Sequence, residues 1–144
     1  QGVESPTIMH NITYSCNRKI TAEQFIDLLK RSTLNERRPV HDRSRIELML
    51  ANASILVTAW DGQTLVGVSR ALSDFGFACY LSDLAVDQRY QRQGIGKELV
   101  RLTNETTGEN TGVILLAAPA AVDYYPKIGM EQFPHCFIIK RKKV

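Results

Sequence analysis

The chain has 144 residues, 44% of them apolar and 23% charged, with a formal net charge of +3. That is the length of one domain, long enough to bury roughly 68–70% of the surface its unfolded chain exposes, so no disulfide or metal staple is required. The small net charge speaks against nucleic acid as a partner, and no run reaches the ~20 apolar residues of a membrane span.

The N-terminus lacks a basic region followed by an apolar one, so no signal peptide is expected. Gln1-Gly2 reads as a remnant of processing, and the domain is taken as 3–144. Residues 11–16 (NITYSC) alternate apolar and polar and predict a first strand. Residues 21–32 open on Thr21, a helix-capping type, and place Phe25, Ile26, Leu28 and Leu29 at helical spacing. Pro39 breaks that pattern, and Asp42 is placed to cap a second helix carrying Ile46, Leu50 and Ala53 on one face. Residues 54–60 (SILVTAW) predict a strand, Asp61-Gly62 a hairpin turn, and residues 64–73 the returning strand. Residues 77–86 (FACYLSDLAV) are long and mostly apolar, as a central strand covered on both faces would be.

From Gly94 the pattern is helical, with Ile95, Leu99 and Leu102 on one side. Residues 113–118 (VILLAA) predict a buried strand, and 120–129 a short helix distorted near Pro126 and closed by Gly129. Residues 136–140 (CFIIK) predict a last strand. The order is β-α-α-β-β-β-α-β-α-β, an α/β domain without internal repeat or linker.

Cys16, Cys79 and Cys136 are odd in number and widely separated, which points to reduced thiols in a cytoplasmic setting. Neither they nor His10, His41 and His135 show metal-ligand spacing, so no metal is expected. Residues 140–143 (KRKK) read as a solvated basic run.

The stretch 91–99 (QRQGIGKEL) carries the chemistry. It is no Walker loop, since no glycine stands five before Gly96 and Glu98 replaces the Ser or Thr. It is no dinucleotide fingerprint either, because Leu99 occupies the third glycine position. What remains is a Gly-x-Gly turn between a long strand and a helix. The N–H groups of Arg92, Gln93, Gly94, Ile95, Gly96 and Lys97 would lie at or before the first helical turn, where they have no intrahelical partner. With the helix dipole they form an anion site. Gly94 and Gly96 let a bulky phosphate approach the main chain, and Arg92 and Lys97 add charge. A glycine-rich turn that binds nothing is the plainer alternative.

Residues 84–100 (LAVDQRYQRQGIGKELV) resemble the acetyl-CoA-binding motif of the GCN5-related N-acetyltransferases, the GNAT superfamily. The match covers the apolar strand end, the Val86-Asp87 exit and Gln91-x-x-Gly94-x-Gly96. Downstream, 123–130 (DYYPKIGM) resembles that superfamily's FYEKLGF segment. The order of elements fits over nearly the whole chain, and 65–100 is loosely similar to the plant and cyanobacterial arylalkylamine (serotonin) acetyltransferase-like branch.

The resemblance implies a mixed, mostly antiparallel sheet flanked by helices and acetyl transfer from acetyl-CoA to a primary amine by direct attack. It implies that the N–H groups of residues 92–97, with Gln91, cradle the CoA pyrophosphate. It implies that the pantetheine arm runs beside Leu84, Ala85 and Val86, where the strands splay. Tyr125 takes the place of the general acid, protonated at neutral pH because a tyrosine hydroxyl ordinarily titrates at about 10. Tyr124 is a cofactor contact or a packing residue. A lysine-like acceptor must be neutralised at a cost of roughly 4–5 kcal/mol at pH 7. Asp83, acting through water, is the candidate base, with Tyr80 or Ser82 holding a water as the rival on the opposite strand face. Acceptor recognition is expected from 35–42, where Arg37 and Arg38 either meet a carboxylate or are solvated, and from Asp74, Phe75 and Phe77. Ala118 stands where many members carry an Asn, and Met130 where they carry Phe.

The acceptor is a small-molecule or protein amine, and a homodimer through the last strand is compatible with the family. The alternative is a non-catalytic acyl-CoA-binding module that kept the phosphate loop.

Overall fold

A computed structural model describes residues 11–143. Gln1-Gly2, the first residues of the expected domain and His10 lie outside the described residues. The elements are β1 (Ile12–Ser15), α1 (Ala22–Ser32), α2 (Arg43–Ala51), β2 (Ile55–Asp61), β3 (Thr64–Ser73), β4 (Ala78–Val86), α3 (Ile95–Thr107), β5 (Gly112–Ile114) and α4 (Tyr124–Lys127). Short 3-10 turns stand at Leu34–Arg37, Gln88–Tyr90 and Pro119–Ala121. One five-stranded sheet runs β1-β2-β3-β4-β5, antiparallel except for the parallel pair β4–β5.

Local chemistry sets the boundaries. Thr21 and Gln24 close a capping box at the start of α1, and Lys30 and Arg31 in its last turn complement the helix dipole. The Asp42 carboxylate accepts from the Arg45 N–H at 3.2 Å and starts α2. Asp61 pairs with Thr64 across a two-residue hairpin loop, as Asp61-Gly62 predicts.

Two cores sandwich the sheet. On one face Phe25, Leu28 and Leu29 of α1 and Ile46 of α2 pack on Trp60, Leu65, Val68 and Ala85. On the other, Ile95 and Leu99 of α3 pack on Ile55, Val57, Ala59, Val66, Ala71 and Cys79. Hydroxyl pairs fasten α3 further: Ser69 to Thr103 at 2.7 Å and Ser73 to Thr107 at 2.6 Å.

The strand covered on both faces is β3, buried without interruption over 65–71. β4, expected in that role, alternates between buried and half-buried residues beyond an exposed Ala78. The reason is its outer neighbour. β5 pairs with β4 only at Ala78–Gly112, Cys79–Val113 and Tyr80–Ile114, and then leaves the sheet. The strand expected over 113–118 is therefore confined to Gly112–Ile114.

The last strand expected at 136–140 does not form, and that segment is irregular. Its β-branched and aromatic residues suit a strand, but the edge it would join offers only the three-residue β5. Phe137, Ile138 and Ile139 are left exposed. The helix expected over 120–129 is split into the Pro119–Ala121 turn and α4, with Pro126 inside α4 and Gly129 at φ +94° just after it.

Candidate active site

The loop from β4 to α3 is anchored before it turns. Asp87, buried just beyond β4, accepts from Arg31 of α1 at 2.6 Å and from the Arg89 N–H at 2.8 Å. Burial works against its charge, but the hydrogen bonds from Arg89 and Arg31 outweigh it and hold the carboxyl below its ordinary range. Arg31 also donates to the Leu65 carbonyl at 2.8 Å, so α1, β3 and the loop meet on one guanidinium.

Beyond this anchor the chain turns twice through left-handed backbone, at Arg92 (φ 65°) and Gly94 (φ 79°). A Cβ at Gly94 would meet nothing within 4 Å, so the glycine there answers to conformation. The first bond of α3 runs from the Glu98 N–H to the Gly94 carbonyl at 3.1 Å. The N–H groups of Ile95, Gly96 and Lys97 precede it, as an anion cradle requires. Arg92, Gln93, Gly94 and Lys97 are exposed, whereas the Ile95 side chain is a core residue. The Gln91 amide donates to the Val86 carbonyl at 3.3 Å.

Gly96 answers to space. A Cβ there would lie 2.6 Å from the Tyr124 hydroxyl, which rests against the first turn of α3. Sequence reasoning assigned that space to a phosphate alone; the structure adds Tyr124 to it. Tyr124 and Tyr125 stack edge to face, with centroids 5.2 Å apart and planes at 73°. Burial pushes the Tyr125 hydroxyl's pKa up, and Tyr124 adds to the effect, while Arg38 opposes it. Tyr124 is raised by burial as well.

Leu84, Ala85 and Val86 form the far end of β4. Their inner edge pairs with Ser69, Val68 and Gly67 of β3. Beyond Tyr80 no strand among the described residues pairs with the outer edge of β4. That edge without a strand partner runs from Leu81 to Val86, whose end leads into the glycine turn.

Asp83 does not suit the base expected of it. Its side chain is fully buried, and its two oxygens accept from the Nε atoms of Arg38 and Arg70. A base must reach the acceptor, and this carboxylate is enclosed by two guanidiniums. Ser82 carries a feature that the sequence does not announce. Arg70 pairs with Asp83 but Ala71 with Leu81, so Ser82 is an extra residue in a bulge of β4. Burial still alternates through the bulge, with Ser82 half-buried between Leu81 and Asp83, and Arg70 reaches both the Asp83 carboxylate and the Ser82 hydroxyl, the latter at 3.0 Å.

Arg38, expected either to meet a carboxylate on the acceptor or to be solvated, is instead a partner of Asp83, and Arg37 beside it is exposed. Asp74 accepts from the N–H groups of Gly76, Phe77 and Ala78 and shapes the β3–β4 turn, bonds that hold its carboxyl below the ordinary range. Phe75 and Phe77 are exposed beside it. Sequence reasoning missed Arg31 and Arg70. The signal for Arg70 was a lone cation in the apolar run of β3; Arg31 sits in the last turn of α1, where a basic residue is ordinary.

A family model described as an acetyltransferase (GNAT) domain matches residues 16–135. The chain belongs to the GNAT acetyltransferases. It is 40% identical over 72 residues to GCN5-related N-acetyltransferase 2, chloroplastic, of Arabidopsis thaliana, which covers 49% of this chain and 28% of that protein. It is 28% identical over 96 residues to an uncharacterized N-acetyltransferase, ycf52, of Pyropia yezoensis, covering 62% of this chain and 55% of the other. The chain thus spans between about a quarter and about half of these relatives' length. Among solved structures it is similar to a probable acetyltransferase of unknown function from meticillin-resistant Staphylococcus aureus, with TM-score 0.75, 24% identity, and coverage of 90% and 99% of the two chains. An aminoglycoside acetyltransferase from a soil metagenome, solved with sisomicin, gives TM-score 0.66 at 22% identity, covering 90% and 97%. These likenesses carry the GNAT fold, a mostly antiparallel sheet flanked by helices. No helix among the described residues is long and apolar enough to cross a membrane.

Proposed function

We propose that this GNAT domain transfers the acetyl group of acetyl-CoA to a primary amine by direct attack in a ternary complex. The observation that carries this is the unpaired outer edge of β4, which runs from the glycine turn past Leu84, Ala85 and Val86 to the Asp83 bulge. Acetyl-CoA, when bound, supplies the activated acetyl thioester. The N–H groups from Arg92 to Lys97 hold its phosphates, with the Arg92 and Lys97 side chains exposed beside them. Main-chain groups of Leu84, Ala85 and Val86 hold its arm. Tyr124 rests over Gly96 and limits how the phosphates enter.

Tyr125 is the general acid for the departing thiol. Burial keeps its hydroxyl protonated beyond the ordinary tyrosine range, so the acid form is held throughout neutral pH. The amine's proton leaves through water held near Tyr80 and Ser82, both half-buried on β4. The acceptor is a small-molecule or protein amine. Three free cysteines fit a reducing interior, the cytoplasm among them. The exposed Phe137, Ile138 and Ile139 are where a second copy would meet this one.

Calorimetric titration with acetyl-CoA, beside dephospho-CoA and NAD, tests the site. Selective binding of acetyl-CoA is expected, followed by thiol release on a panel of primary amines. Tyr125→Phe is expected to lower kcat by about 10²–10⁴-fold while leaving acetyl-CoA affinity in place. Binding without turnover on any amine would leave a non-catalytic acyl-CoA module, and no binding by a folded sample would overturn the reading.

A further inference from the structure

Arg38 follows the 3-10 turn in the segment between α1 and α2, and it crosses to β4. Its Nε donates to Asp83, and one terminal nitrogen donates to the Ser82 carbonyl at 2.7 Å. The other terminal nitrogen donates to the Arg37 carbonyl at 2.8 Å, inside its own segment. The guanidinium fork therefore spans both parts, binding its own loop at one tip and the bulge of β4 with the rest. Arg70 completes the cluster from β3, with Nε on Asp83 and its terminal nitrogens on the Ser82 hydroxyl at 3.0 Å and the Met49 carbonyl of α2 at 3.3 Å.

The backbone of the segment does little to fix it to the sheet. The N–H groups of Glu36, Arg38, Val40 and Asp42 bond to the carbonyls of Thr33, Asn35, Arg38 and Pro39, all within 33–39. Leu34 and Val40 are only partly buried against the α1 core. The bonds that cross from the segment's side chains to β4 come from Arg38. Those bonds need Asp83, because two guanidiniums drawn to one place repel unless an anion lies between them.

We propose that Asp83 is a positioning residue: by binding Arg38 and Arg70 at once it latches residues 33–42 onto the bulge of β4 and fixes the wall beside which the acceptor amine is held. The acceptor's place rests on the acetyl-transfer reading; the latch stands without it. The carboxylate thus works by holding the segment 33–42 against β4 and takes no proton from the amine.

Hydrogen–deuterium exchange of the ligand-free chain tests this, with wild type, Arg38→Gln, Arg38→Lys and Asp83→Asn compared. Arg38→Gln leaves the Arg70–Asp83 pair buried and intact, so it decides the matter even if Asp83→Asn does not fold. Amides of 34–42 are expected to exchange about tenfold or more faster in Arg38→Gln, with α3 unchanged, as a local opening requires. Arg38→Lys keeps the ion pair but loses the fork, and is expected to recover part of the protection. Unchanged exchange over 34–42 in Arg38→Gln, or no recovery in Arg38→Lys, would overturn the latch. Calorimetry with acetyl-CoA on the same samples separates the two readings. A wild type that fails to bind acetyl-CoA sinks the transferase proposal, whereas exchange alone judges the latch.

Discussion

Asp83 and Asp87 stand four positions apart, one on β4 and one just past its end, and each is buried against two arginines. Their partners differ in kind. Asp87 takes one partner, Arg89, and one N–H from its own turn, and Arg89 is 72% exposed. Its distant partner, Arg31, has Asp27 and the Leu65 carbonyl as further acceptors. Asp83 takes both partners from elsewhere, Arg38 from before α2 and Arg70 from β3, and has no exposed surface. One aspartate shapes a loop from within and has a solvent-exposed arginine as one of its partners. The other joins three parts of the chain at a buried point, and no second carboxylate among the described residues pairs with Arg38 or Arg70.

That contrast orders the expected effects of mutation. Asp83→Ala leaves the buried Arg70 and the partly buried Arg38 without their carboxylate and is expected to cost about 3–5 kcal/mol in urea unfolding. Asp87→Ala removes hydrogen bonds to a charged group, but Arg31 keeps its other acceptors and Arg89 its water, so about 1.5–3 kcal/mol is expected in the same experiment. Equal losses at the two positions would erase the distinction between them. Gly96→Ala extends the comparison into the loop that Asp87 anchors. Its new Cβ meets the Tyr124 hydroxyl, with about 1 kcal/mol expected from overpacking. Tyr124→Phe should relieve it, because the next ring atom lies 3.5 Å away, an ordinary contact. If the double variant is no more stable than Gly96→Ala, the hydroxyl does not fill that space.

The smallest effect is in pH. The Asp87 carboxyl lies below its ordinary range in the folded chain, so its contribution to stability is whole above the unfolded value near 3.9 and fades as pH falls through the folded value. The stability gap between wild type and Asp87→Asn should be constant from pH 7 to about 5 and narrow at pH 3. A gap that stays constant down to pH 3 would mean that Asp87 gains nothing from its partners.

How much of this was legible follows the same division. Thr21, Asp42, Asp61-Gly62 and the Gly94 turn are local signals, and each produces the element its neighbours announce. The downstream tyrosines and the glycine turn were legible as paired motifs, and the structure brings Tyr124 onto Gly96. Asp83 was misread because its partners lie 45 and 13 positions away, and no local pattern encodes them. The bulge at Ser82 shifts the register with β3 by one residue, which brings Arg70 to both Asp83 and Ser82, and no local pattern encodes that shift. The last strand was misread because strand-forming residues need an edge to pair with, and β5 provides three residues of it.

The exposed stretch 137–139 has a practical consequence for anyone handling the protein. Phe137, Ile138 and Ile139 form a short, adhesive, strand-forming stretch, and the basic residues 140–143 follow directly. Repulsion among those cations opposes open-ended stacking of copies beyond a pair, the part gatekeeper charges play beside sticky segments. Concentrated salt screens that repulsion over a few ångströms. Purification steps that rely on high salt, or truncations that end at Ile139, should therefore bring on clumping that the intact chain in dilute buffer resists.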